Sequence, residues 1–381
     1  MNRISTWLKE LKNNRNEMRY AKREMKKGYL YQLLDMFQLR FGRSKLGVAE
    51  YYYFRLFDDN MLSPDKKREF VGWRRESEID KQMNLGDWRA IANDKLLFYS
   101  LMKGLHLPYP KVNAVYLSQR YRYLREGVLL NSIEDIKDYL KDKSHYPMFM
   151  KPIQATFGRG AISALEYSQC NDSIIIGNGR TKSIDGILQS IDSNTTEGYI
   201  FSELLRPHPE LERLCGPRLS SVRVIVLLEE GLPRLFRAVW KIPTGKNVID
   251  NFMHGRTGNL VASVDICNGR IERVVTGTGS SLSVRATHPD TNKELIGVSL
   301  PYWSKIKRVC MDGASAFSGL RMQHWDIALC PNGPVALEVN VEGSLDLHQI
   351  AAQQGIYDEK LRNIITSLKI KGNVTRNFET S

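Results

Sequence analysis

Residues 324–340 read HWDIALCPNGPVALEVN, two apolar runs joined by Pro331-Asn332-Gly333. That composition predicts a β-hairpin closed by a tight turn. Three polar groups, Asp326, Glu338 and Asn340, are set into the runs. Strand period 2 puts Glu338 and Asn340 on one face, and pairing across the turn can bring Asp326 to the same face. Carboxylates among Ile327, Leu329, Val335, Leu337 and Val339 are rare unless paired or metal-bound. Two carboxylates and an amide oxygen form a hard, all-oxygen set suited to Mg²⁺ bridging phosphates. The competing reading is an exposed polar hairpin face.

Two further stretches lie upstream. In PMFMKPIQATFGRGA (147–161) a strand presents Lys151, and a loop containing Gly158 and Gly160 returns to a second strand. Glycines let backbone N–H groups approach a phosphate and a lysine adds a point charge, although glycines also punctuate ordinary hairpins. No GKS or GKT follows, so this is not a Walker A loop. In YIFSELLRPHPELERL (199–214) Glu203 ends an apolar strand whose backbone could pair with a base edge. Glu210, seven residues on, could reach a ribose hydroxyl or be a solvated carboxylate.

The rest of the chain bounds the class. Its 381 residues, 42% hydrophobic and 25% charged, can bury a large core and suggest two or three domains. No apolar run approaches the ~20 residues of a membrane helix, and the first 20 residues lack the apolar stretch of a secretory signal. Five scattered cysteines without a CxxC pair point to a reducing compartment and buried thiols. Twelve basic and four acidic side chains fall in residues 1–45, so +8 of the net +13 sits there. Ile4, Leu11, Met18 and Met25 recur seven apart in that stretch and predict an amphipathic helix. It is either a solvated helix packing one narrow stripe on the body or a surface for anionic lipid or glycan. Nucleic acid is not expected, because no basic motif interleaved with aromatics is visible. Residues 46–85 also read as helical, with Ser63-Pro64 opening one helix. Short strands and turns fill 112–205, long antiparallel strands 218–280, a helix 301–320 and a last helix 346–368.

Together and in this order, these stretches resemble the ATP-grasp superfamily. DKLLFYSLMKG, FMKPIQATFGRGA, SSVRVIVL, IDNFMHGRTGNLVASVDICNGR, THPDTNKELIG, LPYW, WDIALCPNGPVALEVN and SLDLHQ, between about 90 and 355, are similar to its sugar-transfer associated branch. The resemblance implies an α+β fold in which two subdomains clasp ATP, preceded by a basic helical region. The boundaries expected are 1–88 (helical region), 89–205 (lid subdomain), 206–372 (subdomain with the metal site) and 373–381 (tail). By resemblance Lys95 and Lys151 contact phosphate, and Gln154 to Gly160, including Gly158, form the flap over the triphosphate. Glu203 and Leu205 form the adenine hinge, and Glu210 binds ribose. Asp326, Glu338 and Asn340 hold magnesium, and Arg223 faces the phosphates or an acyl-phosphate. Asn251, His254 and Arg256 touch the acceptor, while His348 is either a base for the amine or a packing residue. His324 stands where better-known ligases carry arginine, with Arg321 three residues earlier, and no Rossmann-like domain precedes the site. The implied activity is ATP- and Mg²⁺-dependent ligation of a small-molecule or glycan carboxylate to an amine, in the cytoplasm or peripheral to the inner membrane, in cell-surface polysaccharide or related metabolite biosynthesis. The alternatives are a kinase acting on a sugar or lipid hydroxyl and a non-catalytic nucleotide-binding scaffold.

Overall fold

A computed structural model describes residues 3–118, 126–155, 158–194 and 198–368. Thr156 and Phe157 of the expected flap and the expected tail 373–381 lie outside these residues.

Two sheets carry the fold. The first contains β1 (Val112–Leu117), β2 (Val128–Leu130), β3 (Met148–Pro152), β4 (Ile162–Ser168), β5 (Ser173–Ile176), β6 (Thr181–Ser183) and β7 (Gly198–Glu203), ordered β2-β1-β7-β3-β4-β5-β6. The second contains β8 (Ser221–Glu229), β9 (Leu232–Ile242), β10 (Leu260–Val264), β11 (Ile271–Thr276), β12 (Ser283–Val284), β13 (Met322–Cys330) and β14 (Gly333–Asn340), ordered β12-β11-β10-β9-β8-β13-β14. Every described pairing except β1 with β2 is antiparallel.

The second sheet is covered on both faces, which is why its strands read as nearly unbroken apolar runs. All nine residues of β13 are buried. Alternation sorts its neighbours. Val222 and Val224 of β8, Ala238 and Trp240 of β9, Trp325 and Ile327 of β13 and Val339 of β14 pack with Trp303, Ile306 and Ala314 of the helix Trp303–Ala316. The other face takes Tyr51, Phe54 and Phe57 of the N-terminal region, with Leu347 and Ile350 of the helix Leu345–Ala352. Arg223, Lys241, Asp326 and Glu338 lie out of phase with the first set, so alternation turns all four to that second face.

The basic N-terminal stretch is not one helix. It breaks at Asn14 and before Gly28 into Arg3–Asn13, Arg15–Arg23 and Tyr29–Phe41. Leu11, Met18 and Met25 of the seven-residue stripe pack against the core. The expected helix 346–368 is likewise two, because Gln353 takes a left-handed conformation that ends Leu345–Ala352 before residues 359–368 resume. The cysteines are all free, and Cys170 and Cys267 are exposed rather than buried.

Candidate active site

Two adjoining cavities separate the sheets, and a third opens beyond them. The first, of about 610 Å³, is an apolar slot between Phe149 and Leu165 of the first sheet and Leu219, Val248 and Ile249 of the segments flanking strands β8 and β9, closed by Glu203, Leu204 and Leu205. Glu203 is held by its own strand end: its backbone N–H donates to the Lys111 carbonyl at 3.0 Å and its Oε1 accepts the Lys111 amide at 2.9 Å. Glu212, and not Glu210, lines this slot, because the helix Pro209–Cys215, capped by His208, carries the two carboxylates in different directions.

The second cavity, of about 280 Å³, shares Phe149, Lys151, Ser221, Ile249, Asp250 and Leu337 with the slot. Lys95, Lys151, Arg159, Arg223 and Lys241 bring five cations to its wall. The hairpin register sets Asp326 opposite Glu338 on one side and opposite Arg223 on the other. Arg223 grips Asp326 with both arms of its fork, Nε to Oδ1 and Nη2 to Oδ2 at 2.7 Å each, while its Nη1 donates to the Gly343 carbonyl at 2.9 Å. Lys241 Nζ adds a bond to Asp326 Oδ2 at 3.1 Å. Burial opposes charge on both partners, yet the cations hold the Asp326 carboxyl well below the usual carboxylate range and Asp326 raises Arg223. Asp250, raised chiefly by burial, accepts from Ser221 Oγ at 2.5 Å.

A bulge after Asp326 leaves Leu337 as the extra residue on β14. Its carbonyl accepts the Tyr99 hydroxyl at 3.2 Å, and that hydroxyl accepts from Lys151 Nζ at 2.5 Å. Burial lowers Lys151 to about 8, with Glu338 acting in the opposite sense. Lys95, also lowered by burial, donates to the Ala155 carbonyl at 2.8 Å and lies 3.7 Å from Glu338 Oε2. Tyr99 stands one helical turn after Lys95, so the helix Lys95–Gly104 delivers both to the site from one face.

The donor set can be tested for a divalent ion. Asp326 Oδ2 has both lone pairs used, but Oδ1 receives only Arg223 Nε and keeps one. Glu338 accepts the Asn340 amide on Oε1 at 3.1 Å, and its Oε2 has only the distant Lys95. What remains is an all-oxygen set beside cations that can meet phosphate, which fits Mg²⁺. Among the described residues no group of three or more His, Cys, Asp or Glu is arranged to hold a metal; the set here has two carboxylates and one amide.

Of the other expected residues, Gly158, Asn251 and His254 line this cavity, whereas Gln154, Gly160 and Arg256 do not. Gly160 anchors the loop: its φ is +75°, its carbonyl accepts Tyr199 Oη at 2.6 Å, and an added Cβ would stand 2.7 Å from that hydroxyl. His348 is buried behind the site with neither ring nitrogen partnered, as is His324, 6.5 Å away ring to ring. Burial pushes His324 to about 3 and His348 well below its ordinary value.

The third cavity, of about 750 Å³, lies against the N-terminal helices and shares His254, Glu342, Ser344 and Asp346 with the second. Tyr53 and Trp73 supply aromatic walls, and Glu17, Glu50 and Glu76 supply carboxyl groups, the last two raised by burial. At the junction His254 Nδ1 sits 3.3 Å from Asp346 Oδ2, which also accepts Tyr53 Oη at 3.0 Å. The bond from His254 to the Asp346 carboxylate raises the His254 pKa.

The family model described as sugar-transfer associated ATP-grasp matches residues 74–365. Among solved structures, the chain is similar to N5-carboxyaminoimidazole synthase from Aspergillus clavatus (10% identity, 78% of this chain and 58% of that one, TM-score 0.42). It is also similar to the D-Ala:D-Ser ligase VanG from Enterococcus faecalis (14%, 73% and 62%, 0.40) and to biotin carboxylase from Campylobacter jejuni (10%, 77% and 51%, 0.44). The chain spans less than two thirds of the length of each of these structures. No curated protein sequence matches it.

Proposed function

Because the chain belongs to the sugar-transfer associated ATP-grasp family, we propose that it is an ATP-dependent carboxylate–amine ligase acting through an acyl-phosphate. The observation that carries the reading is the continuity of the three cavities: an apolar slot, then a cation-lined chamber, then an acidic, aromatic-walled chamber. Adenine fits the slot beside Glu203 to Leu205. The triphosphate then runs toward Lys151 and Lys95, whose charges neutralise the oxygens that gain charge during transfer. Asp326, Glu338 and Asn340 would hold Mg²⁺, which supplies charge neutralisation and alignment of the phosphates.

A carboxylate placed at the junction attacks the γ-phosphorus, forming a new P–O bond and releasing ADP. The amine then attacks the acyl carbon, forming C–N and expelling phosphate with the former carboxylate oxygen. Holding both partners beside the γ-phosphate is the protein's main contribution. The third chamber suits the amine: its described lining holds Glu17, Glu342, Asp346 and His254 but no lysine or arginine, whereas the phosphate chamber brings five cations among its acids. His254, oriented by Asp346, is placed to accept the amine's proton. His348, closed off from every cavity described above, is better read as packing.

We assign the enzyme to the cytoplasm, to cell-surface polysaccharide or related metabolite biosynthesis, and read residues 1–45 as its contact with an anionic membrane or glycan. The test is ADP release screened against uronic acids and amino acids with primary amines, followed by mass spectrometry. Free phosphate with an amide supports the ligase; a phosphorylated acceptor without free phosphate makes it a kinase.

A further inference from the structure

We propose that one face of the helix Tyr29–Phe41, carrying Leu30, Leu34, Phe37 and Phe41, seats the protein on the surface of an anionic lipid bilayer. The inference rests on the reading of residues 1–45 as an anionic-surface contact and fixes the helix, the face and the partner.

The four side chains are 67%, 49%, 60% and 75% exposed. Their spacing of four, three and four residues places them on one stripe, about 16 Å long at the helical rise. The opposite face, Gln32, Met36 and Leu39, is buried, so the helix is anchored and its outer stripe is a fixed surface. Such a contiguous apolar patch marks an interaction site rather than ordinary surface. The stripe legible earlier in the sequence is not this one: Leu11, Met18 and Met25 pack inward.

Charge selects the partner. Exposed Lys22, Arg23 and Lys26, with one exposed acid, Glu24, among them, precede the stripe and exposed Arg43 follows it. The only acid between Lys26 and Arg43 is Asp35, and it is occupied by Lys27 at 2.9 Å and Lys67 at 3.6 Å. A second copy docked face to face would oppose these cations to one another, which disfavours self-association. An anionic leaflet accepts both features, apolar side chains entering the headgroup boundary and cations meeting lipid phosphates. Among the described residues no helix is long and apolar enough to cross a membrane, so the stripe lies in the plane of the interface.

The test is co-sedimentation of the full-length chain with vesicles of phosphatidylcholine alone or with one part in three phosphatidylglycerol, at low and high salt. Retention on an acidic polysaccharide is measured in parallel. Wild type should pellet with the anionic vesicles at low salt. Leu34→Glu/Phe37→Glu should bind them at least ~10-fold more weakly, as expected from losing two buried apolar side chains. Leu34→Ser/Phe37→Ser should show the same direction without added charge. Both variants should keep the wild-type urea midpoint and ATP affinity. If wild type binds vesicles and both variants bind equally well, the assigned face is wrong while the anionic-surface reading survives. Retention on polysaccharide alone overturns the lipid partner, and binding to neither overturns both. A wild-type dimer that the variants dissociate, without vesicle binding, would make the stripe a self-association face and overturn the proposal.

Discussion

Asp326 is a structural keystone as well as a candidate ligand, and Asp326→Asn separates the two roles. Its carboxylate accepts three N–H bonds, two from Arg223 at 2.7 Å and one from Lys241 at 3.1 Å, in a site where only 3% of the residue is exposed. Asparagine offers one acceptor oxygen and turns an NH₂ toward guanidinium donors, leaving buried cations short of an anion. Breaking a buried pair by removing one partner costs about 3–5 kcal/mol. Glu338→Gln is the control, since Glu338 is half-buried and its nearest cation is 3.7 Å away; its stability cost should stay within about 1 kcal/mol. Urea unfolding followed by fluorescence of the six tryptophans reads both variants. The sign with pH is also fixed. Asp326 is held below its ordinary range, so its stabilisation is present above the unfolded value of about 3.9 and is lost as pH falls toward the folded one. The gap between wild type and Asp326→Asn should therefore be full at pH 7 and narrow below about pH 4. Equal urea midpoints for the two at pH 7 would refute the buried ion cluster.

Lys151→Ala should weaken ATP roughly 10- to 150-fold while leaving adenosine nearly unchanged, measured by calorimetry, because a charge-assisted contact is worth about 1.5–3 kcal/mol. Equal losses would instead make Lys151 structural. Since burial lowers Lys151 to about 8, ATP affinity should be level below pH 8 and decline above it, where the free lysine loses its proton. Burial also pushes Glu76 up to about 8, so the folded state holds its proton more tightly than the unfolded one and stability falls as pH rises from about 4 toward 8. Glu76→Gln keeps an acceptor for the Leu345 amide, and it should raise the urea midpoint at pH 8 with little change at pH 5. The reverse ordering would show that Glu76 is ionised in the fold.

The hairpin was legible because Pro331-Asn332-Gly333 fixes the turn and alternation fixes the face. The bulge that makes Leu337 the extra residue was not, since nothing in the local pattern says which strand carries it. Tyr99 could have been found, standing four residues after Lys95 on a helix. Lys241 is an odd lysine in an apolar strand, but its meeting with Asp326 depends on the order β9-β8-β13, which no local pattern encodes. The helix Tyr29–Phe41 was not legible as a separate element, because the seven-residue recurrence drew residues 1–45 into one amphipathic helix. YLYQLLDMFQLRF carries apolar side chains on more than one face, and no local pattern says which of them meets the core. Spacing offered Glu210 for the ribose, and the orientation of the two-turn helix, which turns Glu212 toward the slot instead, is not encoded in that spacing.

The central claim is that ATP activates a carboxylate at the junction of the chambers. Once the screen has identified a carboxylate, it is labelled with ¹⁸O and turned over with ATP and the amine. Attack on the γ-phosphorus makes a carboxylate oxygen the bridge of the acyl-phosphate, and the amine expels it with phosphate. The account predicts one labelled oxygen in the released inorganic phosphate for each amide formed. Phosphate free of label, with both labelled oxygens retained in the product, would contradict it.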